Sequence, residues 1–161
     1  MKRFDAATPR RMWWNSDLSI HGACPSCGKP LEREQQTFFA SARSGPGRDC
    51  TDFVMSGEGE FCPSCPVVVL DPDEFGQRIG IGFGPTRNSS LQFAVIGIVD
   101  LDAIPDEKAH IQIGTDENPI PLVQFLSKKP PRVHASEKGG RPWSTGVRGK
   151  KKHNKHKHRR K

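Results

Sequence analysis

Apolar positions along the chain recur with a period of two or in short unbroken runs, and nowhere at a sustained helical spacing. Val67-Val68-Val69-Leu70 is a β-branched run of the kind that lies buried inside a sheet. Ahead of it, residues 31–34, 37–42 and 52–55 read as extended segments, punctuated by Ser44-Gly45-Pro46-Gly47 and Ser56-Gly57-Glu58-Gly59, and a long hairpin arm follows. After it, Asp71 is placed to cap a short helical turn with Pro72 at its first position. Ile79, Ile81 and Phe83 then alternate with Gly80, Gly82 and Gly84, which reads as a glycine-rich extended stretch. Residues 91–99 are the most apolar segment. Ile111, Ile113, Leu122, Val123 and Phe125 continue the extended pattern between turns at Pro85, Pro105 and Asn118-Pro119. The pattern predicts a mostly β body.

Five cysteines change this picture, because four fall into two matched hooks, Cys24-Pro25-Ser26-Cys27-Gly28 and Cys62-Pro63-Ser64-Cys65-Pro66. Each hook offers two thiolates from one tight turn, and two hooks supply the four-sulfur tetrahedral cage that Zn²⁺ favours in structural sites. Cys24, Cys27, Cys62 and Cys65 are therefore the predicted ligands of one structural Zn²⁺. Glycine after the first hook allows a positive φ as the chain leaves the metal, which Pro66 does not. Cys-Pro-Ser-Cys is also a thiol oxidoreductase pattern, but such a pair opens a helix in a βαβ unit, and neither hook precedes helical periodicity. A closed four-sulfur site leaves no position for substrate, so a non-enzymatic protein is expected.

At these residues the chain resembles the zinc-ribbon superfamily, whose members join two Cys-Pro-x-Cys-Gly knuckles and pack a few short strands around one metal. The four cysteines and Gly28 match that pattern over residues 22–70. Pro66 departs from it, and the 34 residues between Cys27 and Cys62 exceed the compact spacing of about 15 to 20. The resemblance implies a zinc ribbon with an inserted β-hairpin arm, extended by a small antiparallel β-sheet. It carries no substrate and no reaction.

Other chemistry-bearing residues have plainer readings. Cys50, flanked by Asp49 and Asp52, reads as a half-buried strand cysteine, and His21 as a surface or supporting residue. The glycine-rich stretch around Gly82 lacks the Lys-Ser/Thr pair of a phosphate loop. Asp71, Asp73, Glu74, Asp100 and Asp102 read as solvated carboxylates, with a hard-cation site as the alternative. Trp13-Trp14 covers the edge of a small domain, or stacks on bases beside Arg10 and Arg11.

Charge divides the 161 residues unequally. Residues 1–127 hold 11 Lys and Arg against 17 Asp and Glu, a balance of −6, whereas residues 128–161 hold 14 against Glu137 alone, a balance of +13. The net charge of +7 thus describes neither part. The C-terminal stretch is rich in Gly, Pro, Ser and basic residues, and predicts a disordered basic tail. Such a tail binds a phosphate backbone by counterion release. The nucleic-acid-binding candidates are Arg141, Trp143, Arg148, Lys150, Lys151, Lys152, Lys155, Lys157, Arg159, Arg160 and Lys161, with RNA favoured because Arg141 and Trp143 can stack on single strands. His153, His156 and His158 raise an alternative, a metal-handling tract, which neighbouring cations oppose. A receptor-read targeting signal is a third reading.

The sequence predicts a basic, aromatic arm at 1–20, a zinc ribbon at 21–70, a β-rich extension of the same body at 71–127 and the tail at 128–161. No run approaches the roughly 20 apolar residues of a membrane span, and no signal-peptide core opens the chain. A reducing cytoplasmic location is expected, or nuclear in a eukaryote. The expected partners are a nucleic acid on the tail and a protein on the acidic body, with no membrane.

Overall fold

A computed structural model describes residues 3–45, 47–83, 91–127 and 133–135. Its centre is the long hairpin of β2 (Glu32–Arg43) and β3 (Thr51–Phe61), paired from Glu32↔Phe61 to Ala42↔Thr51. Alternation decides which face is buried: Gln36, Phe38, Ala40 and Ala42 point inward, while Thr37, Phe39 and Ser41 between them are half-exposed. The hairpin forms as the sequence predicts, but Ser56-Gly57-Glu58-Gly59 is not the turn expected: it continues β3, its glycines giving room to the Phe75 and Phe61 rings, and the hairpin lies in the middle of a sheet. The strand order is β1-β4-β3-β2-β5-β6, with β7 also on β5.

β4 (Val67–Leu70) is buried at every position because it lies between two strands, antiparallel to β3 and parallel to β1 (Arg11–Trp14). β5 (Gln92–Val99) pairs with β2 on one side, with a bulge between Phe39 and Ala40. Its other side is shared by β6 (Leu122–Gln124) along Gly97–Val99 and by β7 (Val133–Ala135) along Gln92–Ala94. Three residues of the segment expected to be disordered thus belong to the sheet, and the rest of that segment lies outside the described residues. The sheet is open but strongly curled. Leu126 N–H donates to Arg10 O (2.7 Å), and the Trp14 ring meets Phe93 and His134 edge-on at 5.8 Å, so the first strand approaches the last.

One element corrects the sequence reading. Residues 72–83 form a helix, α1 (Pro72–Phe83), not a short turn followed by an extended stretch. Asp71 Oδ1 accepts the Asp73 N–H (2.9 Å) and Pro72 starts the first turn, so the expected cap is present. The helix then continues because Phe75 and Ile79, four apart, both face the core, and Glu74 pairs with Arg78 on the outer side (3.1 Å). Ile79 is 1% exposed and Ile81 81%: on a helix the two point to different sides. The glycines cost helix propensity, about 1 kcal/mol each, but they permit contact. A Cβ at Gly82 would lie 2.9 Å from the Phe53 ring, and one at Gly76 3.3 Å from Phe93. Phe75 in turn packs edge-on against Phe38 (5.1 Å) over the bare backbone of Gly57.

The connection from β5 to β6 is also not extended at Ile111 and Ile113. It carries two single 3-10 turns (Leu101–Ala103 and Asp106–Lys108) and winds round the buried Asn118, whose Nδ2 donates to Lys108 O (3.3 Å) and Ile111 O (2.9 Å). A buried amide that satisfies main-chain carbonyls holds an irregular loop in place, and apolar spacing does not reveal it.

Candidate metal centre

The two hooks reach one point because of how the sheet is wired. The second hook is the turn from β3 to β4, closed by Cys62 N–H to Val67 O (3.1 Å) and Val67 N–H to Cys65 O (2.8 Å). The first precedes β2, closed by Cys24 N–H to Lys29 O (2.8 Å) and Gly28 N–H to Cys24 O (2.8 Å), with Gly28 at φ 75°. Pairing of Glu32 with Phe61 then sets the hooks side by side. Pro66 needs no positive φ: the chain runs straight into β4, and the Pro66 carbonyl accepts the Arg11 N–H (2.7 Å). The departure from the ribbon pattern at Pro66 is thus explained by β1, which pairs with β4 immediately beyond the hook.

The Sγ atoms of Cys24, Cys27, Cys62 and Cys65 all lie within 4.8 Å of one another, and those of Cys27 and Cys62 are 3.6 Å apart. Four sulfurs about 2.3 Å from a tetrahedral zinc stand about 3.8 Å from each other, so the donor set and its spacing fit that ion. Main-chain amides support the sulfurs: Ser26 donates to Cys24 Sγ (3.4 Å), and Ser64 (3.4 Å) and Cys65 (3.3 Å) donate to Cys62 Sγ. Lys29 Nζ donates to Ser64 Oγ (2.8 Å) and ties one hook to the other.

The thiols differ in acidity. Burial pushes Cys62 up, yet the Ser64 and Cys65 amides and the Cys24 and Cys27 thiols outweigh it and bring Cys62 down to about 7. Its hydrogen bond with Cys27, then burial, the Cys62 hydrogen bond and the charge of both neighbours hold Cys65 up at about 12. Burial raises Cys24 against the Cys27 and Ser26 amides, with the Cys62 and Cys27 thiols adding to the rise. Cys62 is therefore ready as thiolate before Cys24 and Cys65. Bringing a divalent cation among them would deprotonate the rest.

Beneath the knuckle, Cys24, Cys62, Val67 and Val69 are buried together, with Trp13, Leu18, Leu31 and Cys65 against them. Trp13 covers this cluster, whereas Trp14 lies in the main core with Phe93. Consecutive strand residues point to opposite faces, so the tryptophan pair is divided between two cores. Arg10 is another residue that sequence reasoning left unplaced. It is 6% exposed, its guanidinium lies over the Phe4 (5.7 Å) and Phe61 (5.3 Å) rings, and its Nη2 donates to Asp5 O (3.1 Å). Burial lowers its pKa, opposed by the charges of Asp5, Glu34 and Cys62. A basic residue between two aromatic positions gives no signal in a period-two pattern.

Cys50 is exposed, just ahead of β3, and not the half-buried strand residue expected. His21 is exposed and outside the cysteine group. Among the described residues the four cysteines are the group that could hold a metal ion, and the carboxylates of Asp71, Asp73, Glu74, Asp100 and Asp102 form none. All the candidate nucleic-acid-binding residues, Arg141 to Lys161, lie outside the described residues. No helix among the described residues is long and apolar enough to cross a membrane.

Among the described residues, fold and site together define an open, curled β-sheet carrying one α-helix, with four cysteines that could hold a metal ion at one corner. Comparison with protein-family models, with curated proteins and with solved structures finds no match.

Proposed function

We propose that the chain is a non-enzymatic zinc protein that uses its basic C-terminal segment to hold nucleic acid, RNA foremost, as an accessory of translation, RNA or transcription machinery. The metal, one Zn²⁺, fixes the knuckle and takes part in no reaction. The reading is carried by the separation of charge, −6 over residues 1–127 against +13 over residues 128–161. A polyanion is attracted to one part and repelled by the other, which leaves the acidic body to a protein partner.

Anisotropy titration of single-stranded RNA against salt tests it. A segment that neutralises six phosphates loses about 300-fold in affinity between 50 and 200 mM salt, from a slope of about −0.7 per phosphate. Replacing Lys150, Lys151 and Lys152 by Gln in the full chain lowers the slope by about 2. Salt-independent binding, or a slope the triple variant leaves unchanged, would refute the reading. Truncation is a poor substitute unless it leaves β7 intact, since Val133–Ala135 belong to the sheet.

A further inference from the structure

We infer that Arg10 is the buried counter-charge of the four-cysteine metal centre, and that through it the metal latches the N-terminal segment 3–10 onto the sheet. The inference rests on a metal filling the knuckle and is independent of any nucleic acid on the basic segment. Among the described residues Arg10 is the one Lys or Arg that is buried. It adjoins the second hook by two routes. Its guanidinium lies over Phe61, the residue before Cys62, at 5.3 Å, and the N–H of its neighbour Arg11 donates to the carbonyl of Pro66, the residue after Cys65 (2.7 Å). Arg10 therefore belongs to the inner face by packing and to the metal corner by charge. A cation taken out of water needs negative charge close by. Asp5, Glu34 and Cys62 supply some, yet burial outweighs them and leaves the Arg10 pKa lowered. A divalent ion held by four thiolates keeps two negative charges in excess. Filling the knuckle, which exchanges thiol protons for the metal, thus supplies the negative charge that burial of Arg10 calls for.

The same side chain holds the segment. Arg10 Nη2 donates to Asp5 O (3.1 Å), and the guanidinium also lies over the ring of Phe4 (5.7 Å), which stacks on Phe61 at 5.1 Å. Asp5 closes its own loop, accepting the Ala7 N–H (2.9 Å) and the Thr8 hydroxyl (3.2 Å). The far end is tied to β2. Glu34 Oε2 accepts the N–H groups of both Arg3 (2.7 Å) and Phe4 (3.0 Å), and Gln36 Nε2 donates to Phe4 O (3.1 Å). Taking negative charge away from Arg10 weakens its seat over the two rings, and with it the loop that it fastens. Coupling between two sites is reciprocal, so an Arg10 that the metal holds in place tightens the metal by the same factor.

Co²⁺ titration of the full chain under reducing conditions tests this, with Arg10→Met keeping the apolar stem and Arg10→Lys keeping the charge. Arg10→Met binds Co²⁺ about tenfold more weakly than the wild type, and Arg10→Lys recovers most of that loss. The sulfur-to-cobalt charge-transfer band moves to lower energy in Arg10→Met, because losing a nearby cation raises the sulfur electrons; a packing role alone leaves it in place. Wild-type affinity in Arg10→Met, or equal weakening in both variants, would overturn the inference. The wild type supplies a second test that needs no substitution. Its Phe4 amide exchanges about tenfold more slowly with Zn²⁺ bound than after chelation, while Phe38 and Val95 keep their protection. Equal exchange at Phe4, or a loss that spreads to Phe38 and Val95, would overturn the latch. A wild type that takes up no Co²⁺ removes the metal reading itself. One Co²⁺ bound with the same affinity in all three proteins overturns the counter-charge and leaves that reading standing.

Discussion

On one side of β1 and β4, Trp14, Val68 and Leu70 belong to a cluster of fourteen buried residues that includes the helix side chains Phe75 and Ile79; on the other, Val67 and Val69 form a buried cluster of four with Cys24 and Cys62, and Trp13 packs against it. The first side buries enough apolar surface to hold itself together. The second is smaller, and a metal joining its four sulfurs would add to its order. One sheet is therefore stabilised by burial on its inner face, while one corner of its outer face carries four cysteines placed to hold a metal ion, and the two are separated by the thickness of a strand.

The strongest way to break this comparison is to remove the metal. Chelation, or Cys62→Ser, forfeits a binding energy of about 10 to 16 kcal/mol for a structural zinc site. Amides of residues 22–31 and 62–66 should lose exchange protection, while those of Phe38 and Val95 keep theirs. Loss of both together would show a single cooperative unit. Phe75→Ala attacks the other side, at about 3 to 5 kcal/mol in denaturant unfolding, and should leave the stoichiometry of metal binding at one. Gly97→Ala is smaller, about 1 to 3 kcal/mol, because the new methyl meets the Val123 carbonyl and Gln124 Cα of β6. Asp71→Ala removes the cap of α1 and costs about 1 kcal/mol.

Acidity sharpens the contrast without a large energy. Cys62 lies at about 7 against an ordinary 9.0, so its folded-state pKa is depressed. In the reduced, metal-free knuckle its contribution is full above pH 9 and is lost as the pH falls through about 7. Metal uptake should accordingly release about one proton fewer at pH 8 than at pH 6, measured by calorimetry in buffers of different ionisation enthalpy. Equal proton counts at the two pH values would show that the amides at Cys62 do not favour the thiolate.

How much of this was legible in the chain depends on how local the signal is. The hooks are local: two residues between paired cysteines define a turn, and the match between pairs discloses one site before any strand is placed. β2, β3, β4 and β5 were visible as alternation or as unbroken β-branched runs. α1 was hidden because Ile79, Ile81 and Phe83 satisfy a period of two while Phe75 and Ile79 satisfy a spacing of four, and only contact with Phe38 and Phe93 decides between them. The place of the hairpin in the middle of the sheet was not legible either. It depends on β5 pairing with β2 across a long separation in sequence, from Arg43↔Gln92 to Phe38↔Ile98. Asn118 and Arg10 escaped for a related reason, since a buried polar residue is recognisable only by its partners.

The division of Trp13 and Trp14 between the two cores also has a spectroscopic consequence. Two adjacent indoles, one beside the thiolates and one beside Phe93 and His134, make the strand a two-channel reporter. With Trp143 replaced by Phe, emission from Trp13 should change when the metal leaves and that from Trp14 when the inner core melts. Single-tryptophan variants would then time the loss of each compartment within one unfolding experiment.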